Sequence, residues 1–196
     1  MVRSGKMARL FAAALPAVGL IAVAGGGAVA GARDEQPDRA VAGTSEASSA
    51  RRVSANPAIS AQGRFVAFDS SVRLVRADTN DARDVYVRDR ATGALRRVSV
   101  THADRQAARN SVEPAVSENG RWIAFTSRAK LVPRDGNGAR DVYVRDRSAG
   151  TTHLVSAGSG GAVDNGPSYD ARSSSDGTSV AFSSDASNLV AGDTNH

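Results

Sequence analysis

Beyond residue 50, apolar and polar positions alternate, and the alternation itself recurs. In "RFVAFDS" from Arg64, Val66 and Phe68 fall on one face while Phe65 and Ala67 fall on the other. The same pattern returns in "RWIAFTS" from Arg121 and "TSVAFSS" from Thr178. A period of two predicts a strand, and apolar residues on both faces predict a strand packed between layers. Trp122 stands where Phe65 stands in the first copy, which makes it core filling. Downstream, the nine residues "ARDVYVRDR" occur twice, at 82–90 and 139–147. Val85 and Val87 share one face there, and Tyr86 and Arg88 the other, so this too reads as a strand.

The repeat is 57 residues long, from Gly63 to Gly120 to Gly177. Each unit starts with a short strand after a proline: "NPAIS" at Asn56, "EPAVS" at Glu113, and a looser "GPSYDARSSS" from Gly166. By its proline, the third copy carries four extra residues before its glycine. The turns "AQGR", "ENGR" and "SDGT" follow, where glycine supplies a positive φ. After the third strand, "DRATG" and "DRSAG" reverse the chain, with Asp89 or Asp146 opening a turn that Gly93 or Gly150 closes. A fourth strand is read in "ALRRVSV" from Ala94 and "TTHLVS" from Thr151. No segment repeats apolar residues with a helical period. The expected fold is all-β: four-stranded antiparallel sheets stacked as β-propeller blades.

These residues resemble a known family. "ISAQGRFVAF…DVYVRDRATGALRRVS" looks like the WD-like repeats of TolB-type β-propellers, and the resemblance covers 51–196. It implies a propeller ring whose N-terminal outer strand completes the last blade. "RRVS" at 51–54 matches "RRVS" at 96–99 and reads as that orphan outer strand. The expected blades are about 56–100, about 113–156 and an incomplete third at about 166–196. That amounts to about 2.6 units, against roughly 4–8 blades in closed propellers. The expectation is an incomplete ring, from a fragment of a longer protein. The rival expectation is closure by oligomerisation, since open strand edges favour self-association.

The N-terminus changes the picture of charge. Arg3, Lys6 and Arg9 precede an apolar run, and A-x-A sites end at Ala30 and Ala32. This is a signal-peptide pattern over 1–32, with cleavage after Ala30 or Ala32. It predicts export, to the periplasm or the exterior, with no membrane span afterwards. Residues 33–50 are polar and small, as in a disordered linker. Cleavage after Ala32 lowers the formal charge from +5 to +2. The arginines are interleaved with aspartates and aromatics are few, which argues against nucleic acid. The absence of cysteine removes disulfides, thiolate metal sites and cysteine nucleophiles together.

Candidate chemistry lies in a loop that also repeats: "LVRADTNDARD" from Leu74, "LVPRDGNGARD" from Leu131 and "LVAGDTNH" from Leu189. Asp78, Asn80 and Asp84 recur as Asp135, Asn137 and Asp141. Closely spaced carboxylate and amide oxygens suit Ca²⁺, although the set lacks a distal glutamate. The competing reading is side-chain-capped turns that shape the loop. His102, His153 and His196 share no metal-binding spacing and read as exposed or edge residues. "GSGG" at 158–161 lacks the lysine of a phosphate loop. No G-x-S-x-G elbow is present. Carboxylates that recur once per blade point to structure, because a catalytic pair would not repeat. The function expected is a non-enzymatic binding or scaffold module that meets a protein or glycan through its loops. The alternative is the propeller of a secreted, prolyl-oligopeptidase-like hydrolase whose catalytic part lies elsewhere.

Overall fold

A computed structural model describes residues 53–158 and 160–191. The expected signal peptide (1–32), linker (33–50) and His196 lie outside the described residues. The described elements are ten strands, with no helix among them. β1 (Ser54–Ile59), β2 (Phe65–Ser70), β3 (Asp84–Asp89) and β4 (Leu95–Arg97) form one antiparallel sheet in chain order. β5 (Ser111–Val116), β6 (Trp122–Ser127), β7 (Asp141–Asp146) and β8 (Thr151–Leu154) form a second of the same order. β9 (Ser168–Ser173) and β10 (Val180–Ser184) pair as the start of a third. The protein is therefore all-β, with two complete four-stranded blades, half of another, and no ring closure among the described residues.

The strand faces follow the alternation in the sequence. Phe65, Ala67, Val85 and Val87 leave the first sheet on one side and meet Ile123, Phe125 and Tyr143 of the second in a buried cluster. The other face of the second sheet packs Ala124, Val142 and Val144 against Ala171 and Val180 of the third. Each large apolar side chain buried this way contributes roughly 1.5–3 kcal/mol. A single blade could bury neither face alone, so the stack is the stable unit.

Turn chemistry fixes the register between blades. Ser60, Ser117 and Ser174 each accept the turn-glycine N–H at their carbonyl, at 2.8, 2.9 and 3.0 Å. Their hydroxyls accept the N–H of Phe65, Trp122 and Ser179 at 3.1, 3.0 and 3.0 Å. Gly120 has φ +65° and lies directly over the Phe65 ring of the preceding blade. Gly177, at φ +74°, covers Trp122 in the same way. The Arg64 guanidinium stacks on Phe65 at 4.8 Å, and Arg121 on Trp122 at 4.6 Å. Each arginine also holds the aspartate that opens the next turn: Arg64 with Asp89 and Arg121 with Asp146. Trp122 is thus core filling, as its place in the repeat predicts.

Two readings need correction. The third unit has no four-residue insertion. Ser54, Ser111 and Ser168 open their strands 57 positions apart and pair with Ser70, Ser127 and Ser184. Each first strand then bulges at a residue of positive φ: Asn56 (48°), Glu113 (58°) and Asp170 (56°). The structural counterpart of Pro57 and Pro114 is therefore Ala171. Pro167 lies before its strand and misleads the eye. Second, 51–54 is not an orphan outer strand at its described end. Ser54 begins β1, and Val53 accepts the Ser71 N–H at 3.0 Å. Their counterparts in the second "RRVS", Val98 and Ser99, lie beside β3 instead.

Candidate functional site

The acids of the repeated loops gather as two clusters, one over each complete blade, and Asn137 joins the second. Each loop runs from the end of a sheet's second strand to its third, and folds back over that sheet's tyrosine. In the first blade the Tyr86 hydroxyl donates to Asp78. Gln106 Nε2 donates to Asp78 at 2.8 Å and to Asp84 at 3.3 Å. The Ser99 hydroxyl donates to the other Asp84 oxygen. The Arg97 guanidinium lies 3.6 Å from Asp78 and 3.8 Å from Asp84. Asn80 does not point at the acids. Its Nδ2 donates to the Ala107 carbonyl at 2.8 Å, and its Oδ1 accepts the Ala82 N–H at 3.1 Å.

The second cluster keeps the plan but changes the cation. Tyr143 donates to Asp135, as Tyr86 does to Asp78. Leu154 occupies the place of Arg97, and Val163 that of Gln106. A third carboxylate, Asp164, replaces Ala107. Asn137 Nδ2 now sits among the acids, 3.0 Å from Asp141 and 2.8 Å from Asp164. Its Oδ1 still closes the turn on the Ala139 N–H at 2.8 Å. Ser156 donates to Asp141 at 3.2 Å, and Ser168 to Asp164 at 2.7 Å. Asp141 Oδ2 is buried without a hydrogen-bond partner.

Charge follows from these surroundings. Burial raises the Asp84 carboxyl above the usual carboxylate range, against the pull of Ser99 and Arg97. Burial also raises Asp135. Asp141 is pushed up to about 7, first by burial and then by Asp164. Both tyrosine hydroxyls are raised by burial and by the acid each one meets. In contrast, the Arg64 guanidinium holds Asp89 down to about 2.

A pH prediction arises from Asp141. Its folded form holds a proton that the unfolded chain releases near pH 4. Stability should therefore fall as pH rises from about 4 to about 7. Asp89 acts only below about pH 4, outside this window. His153, lowered by burial and by His102, opposes the trend near pH 6. Urea unfolding at about pH 5 and pH 8 checks this. Wild type should lose stability at the higher pH, and Asp141→Asn should flatten most of that loss.

The structure brings Asp78 to Asp84 and groups Asp135, Asn137 and Asp141, but turns Asn80 away from the acids. Sequence reading missed the donors that satisfy them, Tyr86, Tyr143, Arg97 and Gln106, and the added acid Asp164. The two tyrosines carried a signal, since each follows its loop aspartate by the same interval. Arg97, Gln106 and Asp164 do not recur, so no repeat could flag them. Among the described residues, no group of three or more His, Asp or Glu is placed to hold a metal ion. His102 is exposed in a turn beyond β4 and His153 half-buried on β8, their rings edge-to-face with centroids 6.3 Å apart.

No protein-family profile matches the chain. No characterised protein matches it in sequence. Among solved structures, the chain is similar to TolB from Acinetobacter baumannii, with a TM-score of 0.41 and 19% identity. The alignment covers 65% of this chain and 25% of that one, so the chain spans about a quarter of that structure's length.

Proposed function

We propose that this chain is an exported, non-catalytic binding module built from propeller blades. One observation carries the reading: the acidic groups that recur between blades are consumed by internal partners. Asp78, Asp84, Asp135 and Asp141 all face tyrosine, arginine, serine or amide donors of their own fold. A general acid or base needs an open path to substrate, and these carboxylates are almost fully buried. The signal-peptide pattern supports export. No helix among the described residues is long and apolar enough to cross a membrane.

The test uses the exported chain with chromogenic peptide, ester, phosphate and glycoside substrates, alongside arrays of glycans and purified extracellular proteins. Reversible retention on an array without turnover is expected. Turnover of any substrate above background would overturn the reading. N-terminal sequencing of the exported chain should begin at Gly31 or Arg33.

The same geometry bears on Ca²⁺. The loop carboxylates already hold internal donors, so the melting temperature should be the same in Ca²⁺ and in EDTA. A rise with Ca²⁺ that Asp135→Asn or Asp141→Asn removes would instead assign the second loop as a metal site.

A further inference from the structure

Residues that recur at the repeat interval hold the blades together, so departures from the repeat mark surfaces under a different demand. One such surface is a groove of about 730 Å³ between the outer strand of the first blade and the third strand and following turn of the second. Arg96, Arg97, Arg145 and Arg147 line it, with Asp104 as its one lining acid. Half of its arginine content departs from the repeat: Arg145 and Arg147 recur from Arg88 and Arg90, whereas Arg96 and Arg97 have no copy. One unit on, Arg96 and Arg97 become His153 and Leu154, and Asp104 becomes Gly161.

The four cations differ in how far the fold satisfies them. Arg145 is satisfied, donating to Asp104 and to the Thr152 hydroxyl. Arg147 donates one bond to the Gly120 carbonyl and stacks over Phe65. Arg97 is not satisfied. Its side chain is only 8% exposed, yet Nε and Nη1 make no hydrogen bond. Its two carboxylate neighbours stand off at 3.6 and 3.8 Å. Arg96 is exposed and forms no ion pair among the described residues. Burial and the facing Arg96 charge both lower the affinity of Arg147 for its proton. Guanidinium groups gathered this way repel one another unless an anion stands between them. Their planar forks match oxyanions in particular.

We propose that this groove binds a small ligand carrying more than one oxyanion group, carboxylate or phosphate. The volume is that of a small-molecule pocket. The proposal rests on the binding-module reading and names the ligand class for it. Arg96 and Arg147 contact the ligand from opposite walls, and Arg97 adds charge from beneath.

The test is isothermal titration of the full exported chain at low salt, with citrate as the polycarboxylate and pyrophosphate as the phosphate. At least one should bind with a dissociation constant in the millimolar range or tighter. Arg96→Glu should weaken that binding at least about tenfold, a loss of about 1.4 kcal/mol. Arg128→Glu makes the same charge change at an exposed arginine away from the groove, and should weaken binding less than about twofold. Both sites are exposed, so both variants should fold. Which probe binds decides between carboxylate and phosphate. No binding of either up to about 10 mM overturns the proposal, as does equal weakening by the two variants. Those results leave the binding-module reading standing, because only turnover overturns that.

Discussion

Gly120→Ala is expected to destabilise the protein by about 2–5 kcal/mol in urea unfolding, from overpacking and a left-handed backbone together. A Cβ at this position would lie 2.4 Å from Phe65 Cγ and 2.5 Å from both ring Cδ atoms. The ring cannot retreat freely. Arg64 and Arg147 both lie against it, at 4.8 and 5.6 Å, and the residue itself is buried in the cluster between blades. Gly93→Ala provides the comparison. Its φ of +71° is similar, but nothing lies within 4 Å of the added atom. That change should cost only the backbone penalty, about 1–2 kcal/mol. Adding Phe65→Leu to Gly120→Ala should cost less than the two losses summed, because the smaller side chain relieves the clash. Equal losses for Gly120→Ala and Gly93→Ala would mean that the blades do not interlock through this ring.

The second large effect concerns Arg97. Removing one member of a buried ionic group leaves the other uncompensated, at a cost of about 3–5 kcal/mol. Arg97→Leu installs what the second blade already has at this position, Leu154. The second blade tolerates leucine because Asn137 bridges its acids and Asp141 retains a proton. In the first blade Gln106 bridges Asp78 and Asp84 in place of Asn80, but Arg97 is the cation beside them. The loss should therefore be large near pH 7. It should shrink as the pH is lowered, because the raised Asp84 carboxyl takes up a proton in place of the guanidinium.

The fold was largely legible because its information is periodic. Alternation at Phe65–Phe68 and its copies gave the faces, and glycine spacing gave the turns. Where the reading slipped, a single residue type had been trusted over the interval. Pro167 suggested an insertion that the Ser54, Ser111 and Ser168 register removes. The copied "RRVS" suggested an outer strand where β1 begins. The loop acids were legible for the same reason as the strands. Their partners were not. Arg97 and Asp164 come from outer strands or connections far along the chain, and only the folded stack brings them to the loops. The arginine groove escaped notice because spread-out arginines look like a solvated surface until the first blade's outer strand meets the third strand and turn of the second.

The central claim is that the recurring loop acids are internal scaffolding, neutralised within the fold. Its most direct measurement is the unfolding free energy, near pH 7, of Arg97→Leu, Asp84→Asn and the double variant. If Arg97 compensates Asp84, the double variant should recover part of the loss of Arg97→Leu, with a coupling of about 1–3 kcal/mol. Losses that simply add would contradict the claim and show that the loop carboxylates are not held by the arginine beneath them.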